Sequence, residues 1–119
     1  MKMWRDLVAE AKREISLFQI KDVKEKLDQG EDFVLVDVRE PDEQQKGRLP
    51  KAVPIPRGIL EMTMERHFKD QARPIVLYCA GGGRSAVAAQ TLKKMGYENV
   101  SSMEGGFEEW TRSGLPIEK

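Results

Sequence analysis

From the amino terminus, Trp4, Leu7, Val8, Ala11 and Ile15 recur at helical spacing with lysine, arginine and glutamate between them, the pattern of an amphipathic helix. Such a helix has an apolar stripe to bury, and the expected surface is its own domain. Residues 1–14 are therefore read as an N-terminal amphipathic helix ahead of a domain over 15–119. Residues 19–28 repeat the pattern through Ile20, Val23 and Leu27, with Gly30 as a stop. The period then changes. FVLVDV at 33–38 is an apolar run of the length expected for a strand covered on both faces, with its polar residue, Asp37, near the carboxyl end. Pro41 opens a short helix whose first turn carries Asp42 and Glu43, where the helix dipole favours acids, and Gly47 and Pro50 end it. AVPIP at 52–56 can form only a short edge strand, since each proline withdraws a ladder donor. A further short helix is expected over 58–68.

PIVLYC at 74–79 is the second buried strand. It runs directly into AGGGRS and an alanine-rich helix, AVAAQTLKKM, closed by Gly96. NVSSM at 99–103 is a weak last strand, and GGFEEWTRSG at 105–114 reads as a terminal helix that buries Phe107 and Trp110. Strands alternating with helices predict an α/β domain with a central, mainly parallel sheet and helices on both faces.

Composition narrows what such a domain can do. The 119 residues carry twenty Lys plus Arg against twenty Asp plus Glu, twelve of each up to residue 60 and eight of each beyond it. No basic face or acidic tail is implied, so neither nucleic acid nor an anionic membrane is an expected partner. The mean hydropathy is −0.56, and no apolar run approaches the roughly 18 residues of a membrane span. Charges at Arg5, Asp6 and Glu10 interrupt the apolar core of a secretory signal, which points to the cytoplasm. A globule of this mass is expected to keep roughly 6,500 Å² of accessible surface, enough burial for one core without staples. The single cysteine, Cys79, can form no internal disulfide and offers no thiolate cluster for zinc, so no metal or other cofactor is expected. If Cys79 matters, it matters as a thiol.

Its surroundings say that it does. In open parallel sheets, ligands bind beyond the carboxyl ends of the strands, which is where Cys79 falls. Ala80, Gly81, Gly82 and Gly83 clear away side chains and let backbone N–H groups turn inward as a nest for an anion. Arg84 and Ser85 then open a helix, with its unpaired donors and the positive end of its dipole. A helix N-terminus and an adjacent arginine lower a thiol pKa from about 8.5 towards neutrality, so a reactive thiolate is expected.

These residues resemble a known family. CAGGGRS is similar to the CxxGxRS active-site loop of single-domain rhodanese-type sulfurtransferases. DVREPDE and the later GRLPKAVPIP resemble that family's DVREPxE and GHIPGAxNIP segments, and MEGGFEEWTRSGLPIE its closing GGxxxWxxGxP stretch. The matches run in order over roughly residues 15 to 117. The resemblance implies a three-layer rhodanese-like fold and a two-step transfer. The Cys79 thiolate takes a sulfane sulfur from a donor such as thiosulfate and passes it to cyanide or a thiol, which could be a protein's. Donors from residues 80–85 would stabilise the persulfide, with Arg84 beside them to hold an anionic donor.

Asp37 and Arg39 match the family's DVR segment and are expected to form a charge-assisted pair that fixes the first strand's exit, with Glu43 as a candidate third member. Arg57 and Gly58 are candidates for the pocket edge. Met62 and Met64, with Ile59 and Leu60, are read as core cover that could also roof the pocket. His67, the one histidine, sits in a polar helical context and is read as a surface residue. Arg48 replaces the family's histidine and Lys51 a common glycine, departures expected to alter the pocket edge. Two other functions compete. One is a noncatalytic sulfane-sulfur sensor or interaction module, with the Trp4 helix and Met62–Met64 as its output surface. The other is a cysteine phosphatase, whose pattern places five residues between cysteine and arginine where Cys79 and Arg84 have four.

Overall fold

The computed structural model covers residues 1–119. Three strands made wholly of buried residues form its centre: β2 (Val34–Asp37), β4 (Ile75–Tyr78) and β5 (Val100–Met103). Two short strands close the edges, β1 (Ser16–Phe18) beside β5 and β3 (Val53–Pro54) beside β2. The order is β1-β5-β4-β2-β3, and every pairing is parallel. Total accessible surface is 6679 Å², close to the expectation from mass.

Alternation along the strands divides the core in two. Val34, Val36, Ile75, Leu77 and Val100 pack on one face with α4 (Leu60–His67) and α5 (Gly83–Lys94), through Leu60, Met64, Ala88, Ala89 and Leu92. Leu35, Val76, Tyr78 and Met103 pack on the other with α2 (Ile20–Asp28) and α6 (Gly106–Arg112), through Val23 and Trp110. The result is the expected three-layer α/β arrangement. A short α3 (Pro41–Gln45) follows β2, and the chain then reaches α4 through β3 and a single 3₁₀ turn, Arg57–Ile59. No helix is long and apolar enough to cross a membrane.

Helix α1 (Trp4–Glu14) packs along α5, with Ala11 fully buried in the seam. The alanines of α5 keep that outer surface low enough for a second helix to approach. Trp4 and Leu7, further along the stripe, remain about half exposed. Strand β1 carries no apolar alternation, because Ser16 and Leu17 are exposed and only Phe18 is partly covered. It exists because the edge of β5 offers its backbone, aligning Ser16 with Ser101 and Phe18 with Met103.

Both departures from the family segment fall outside the cysteine loop. Arg48 exchanges two 2.8 Å backbone hydrogen bonds with Glu118, fastening the carboxyl-terminal segment. Lys51 sits in a turn closed by the Ala52 N–H donating to the Leu49 carbonyl, with Pro50 second and Lys51 third. Its φ of 65° is the one positive value at a residue other than glycine. The third position of a type II turn calls for this conformation, which explains a glycine there. Lys51 lines a shallow depression with Leu27, Gly30 and Phe33 beside α2, so the expected change in the sulfur pocket's edge does not arise from it. Relief of the left-handed strain should exceed the added unfolded-state entropy of glycine. Lys51→Gly is expected to stabilise the fold by about 1 kcal/mol, read as a rise in the urea midpoint.

Candidate active site

Cys79 is the first residue after β4, the middle strand, and only 1% of its surface is exposed. The connections leaving β4 and β5 go to opposite faces, α5 to one and α6 to the other, so the chain parts at their carboxyl ends and opens a crevice. The 79–85 loop fills it. Gly82, the N-cap of α5, has a φ of 106°, a left-handed conformation that only glycine adopts readily. This turn points the Gly82 N–H at Cys79 Sγ, 3.1 Å away, and brings the Ser85 N–H to 3.4 Å and the Ser85 hydroxyl to 3.5 Å. The N–H groups of Ala80, Gly81, Gly83 and Arg84 have no partner within the chain. One sulfur thus faces two N–H donors and a hydroxyl, and four more backbone donors lie in the same loop.

The carbonyls of this loop are held from the other side. Phe107 N–H donates to the Cys79 carbonyl at 2.9 Å and Glu108 N–H to the Ala80 carbonyl at 3.0 Å, so the first turn of α6 is capped by the cysteine loop. Gly106 permits this approach, since a Cβ there would lie 2.5 Å from both carbonyl oxygens. Gly83 is tight for another reason: a Cβ would meet the Trp4 ring at 3.2 Å and Val8 at 3.4 Å. Helix α1 therefore rests on the first turn of α5.

Arg84 does not hydrogen-bond the sulfur. Its two terminal nitrogens donate to the two carboxylate oxygens of Glu43 on α3, at 2.8 and 3.0 Å. The Arg84 hydrogen bond lowers the Glu43 pKa to about 2, against an opposing contribution from burial. In return Glu43, and more weakly the nearby Cys79, raise that of Arg84. Glu43, expected beside Asp37 and Arg39, belongs instead to this pair.

A model of the rhodanese-like domain matches residues 19–113. The chain belongs to the rhodanese-like family. It is 38% identical over 95 residues to a sulfurtransferase of Allochromatium vinosum, covering 80% of this chain and 87% of that protein. It is also 38% identical to the thiosulfate sulfurtransferase GlpE of Glaesserella parasuis, covering 76% and 82%. Among solved structures it is similar to a Rhodopseudomonas palustris protein described as of unknown function and as a possible tyrosine phosphatase. That match has a TM-score of 0.90 and 34% identity, and covers 99% of this chain and 96% of that one.

In this rhodanese-like domain Asp37 and Arg39 form a buried pair on the sheet face opposite the sulfur, with 0% and 3% of their surfaces exposed. Arg39 donates through Nη2 to Asp37 Oδ2 at 2.8 Å and through Nε to Oδ1 at 3.1 Å. The Tyr78 hydroxyl donates to the same carboxylate at 2.7 Å and accepts from Leu49 N–H at 3.1 Å. Burial opposes the Arg39 charge, yet hydrogen bonding and attraction to Asp37 carry its pKa up; burial and the Asp37 charge raise that of Tyr78. The guanidinium also lies 4.0 Å from the centre of the Phe107 ring. Gln44, not singled out from sequence, joins the network by donating to the Asp37 and Arg39 carbonyls. A buried pair satisfied this fully braces the end of β2 and the start of α6.

The remaining candidates separate. Arg57 pairs with Glu61 at 2.9 Å and reaches Thr91 on α5 at 3.4 Å, joining the turn after β3 to two helices. Leu60 and Met64 are fully buried core residues, while Ile59 and Met62 are exposed. His67 lines a cavity of about 220 Å³ with Phe68, Lys69 and Arg73. Val34 and Ile75, which begin β2 and β4, also line it, so it lies at the end of the sheet away from Cys79. Ser102 was missed altogether. Its Oγ is 2.8 Å from the Ser85 hydroxyl, a contact that depends on β5 lying beside β4.

Two outcomes follow. Gly106→Ala drives a methyl group into two backbone carbonyls and is expected to destabilise the fold by roughly 3 kcal/mol or more, seen in chemical denaturation. The Glu43 pKa lies below its ordinary value of 4.5, so its stabilising contribution is complete above that value. It is lost as pH falls towards about 2. Glu43→Gln should therefore flatten the stability-against-pH curve across that acid window.

Proposed function

We propose that this domain is a sulfurtransferase that carries sulfane sulfur on Cys79. The thiolate attacks the outer sulfur of thiosulfate; the Cys79–sulfur bond forms, the sulfur–sulfur bond of the donor breaks, and sulfite leaves with the electron pair. The resulting persulfide anion gives its outer sulfur to a thiolate or cyanide and restores the Cys79 thiolate. Convergence of the Gly82 N–H, the Ser85 N–H and the Ser85 hydroxyl on one sulfur carries this reading. Fixed backbone donors of this kind stabilise an anionic sulfur without reorganising as the reaction proceeds. The unpartnered N–H groups of the loop, four in number, are available to the oxygens of the sulfonate end of the donor. Relatives named sulfurtransferase and thiosulfate sulfurtransferase support the same chemistry.

The similar Rhodopseudomonas protein brings the phosphatase reading forward, and two observations weigh against it here. The loop is one residue shorter than the phosphatase pattern, and the arginine that would grip a phosphoryl group is doubly bonded to Glu43. A sensor would use the same pocket and is separated from an enzyme by turnover. Intact protein treated with thiosulfate should gain the mass of one sulfur atom on Cys79, and a thiol or cyanide should remove it catalytically. Cys79→Ser should lose both while melting close to the parent. A Cys79 that stays open to alkylation but never gains sulfur would overturn the proposal. Charging without discharge to any acceptor would establish the sensor.

A further inference from the structure

One hydroxyl behind the sulfur has no part in the transfer scheme. Ser102 lies on β5 beside Leu77 in the register, on the same sheet face as Val100, and is fully buried. The core on that face is otherwise almost wholly apolar, built mainly from valine, leucine, isoleucine and alanine with Met64. A serine buried there costs free energy unless its hydroxyl is bonded. Ser102 makes one side-chain bond, to Ser85 Oγ at 2.8 Å, and Ser85 Oγ is 3.5 Å from Cys79 Sγ.

The direction of this chain follows from counting protons, since each hydroxyl has one. If Ser102 donates to Ser85, the Ser85 proton is free to meet the sulfur, and both hydroxyl protons are used when the sulfur is an acceptor. If the chain runs from S–H through Ser85 to Ser102, the last proton is left in the core with no acceptor. A hydroxyl that accepts a hydrogen bond is also a stronger donor. We propose that Ser102 is a positioning residue: acting through Ser85, its buried hydroxyl aims a proton at Cys79 Sγ and favours the anionic sulfur. The inference deepens the sulfur-carrier reading and rests on it.

The test reads the pH profile of Cys79 alkylation by iodoacetamide in the 119-residue chain, which needs no sulfur donor. The charged groups against the cysteine loop are Arg84 on α5, Glu40 and Glu43 at the start of α3, and Glu108 on α6; the Lys12–Glu104 pair joins α1 to the turn after β5. All are retained in every variant, so differences report the serines. Ser102→Ala is expected to raise the profile's midpoint by roughly half a pH unit and slow alkylation about threefold below it. Ser102→Thr, which keeps the hydroxyl, should hold the parental midpoint. In a Ser85→Ala background, Ser102→Ala should move the midpoint no further. Should Ser102→Ala melt below the assay temperature, Ser102→Thr against the isosteric Ser102→Val carries the same expected shift. An unmoved midpoint in Ser102→Ala, an equal shift with Ser85 absent, or a threonine variant that behaves like alanine would each overturn the proposal. A chain with the expected alkylation pattern that takes no sulfur from thiosulfate would refute the transfer reading and leave the role of Ser102 standing.

Discussion

The N–H and carbonyl groups of a peptide point in opposite directions, so a loop that turns its amides towards one atom must find donor partners for its carbonyls elsewhere. Around Cys79 that demand is met by α6. Its first N–H groups take the Cys79 and Ala80 carbonyls, and a glycine at 106 lets the backbones touch. With the carbonyls fixed, Gly82 can turn left-handed and present its amide to the sulfur. The position of β5 beside β4, the sharp entry into α6 and the buried Arg39 beneath Phe107 all serve this one arrangement.

Charge is kept local. Arg84 and Glu43 compensate each other at the loop's rim, and Asp37 and Arg39 do so within the opposite core. Polarisation at the sulfur comes from dipoles that carry no net charge: two amides, a hydroxyl and the start of α5. The zero net charge of the chain agrees with this design, because an anionic donor of the kind proposed would meet fixed N–H groups at short range instead of a long-range field.

Much of this was legible in the residues. The two apolar runs at 33–38 and 74–79 gave β2 and β4 because strands buried on both faces are continuous apolar segments, and the cysteine loop stood out because glycines, a strand end and a helix start coincide. The Asp37–Arg39 pair could be anticipated from the resemblance of DVR to the family's segment. Other features depend on neighbours that the linear pattern does not specify. Strand β1 is defined by the backbone edge of β5 and has no apolar signature. Glu43 lies close in sequence to Arg39 but finds its partner on α5, and Gln44 takes the place expected for it. Ser102 looked like an ordinary residue of a weak strand, since only the β4–β5 register sets it behind Ser85. Lys51 could be recognised as unusual, but its meaning came from the turn it occupies.

The register of β1 bears on how the chain assembles. Ser16 pairs with Ser101, so the strand nearest the amino terminus has its only sheet partner near the carboxyl terminus. Contacts so distant in sequence form late and slowly. The same late segment brings Ser102 and the start of α6 to the cysteine loop. A chain emerging during synthesis therefore possesses its sulfur and all its loop glycines well before it possesses a site, and the thiol acquires its donors only when the sheet is completed.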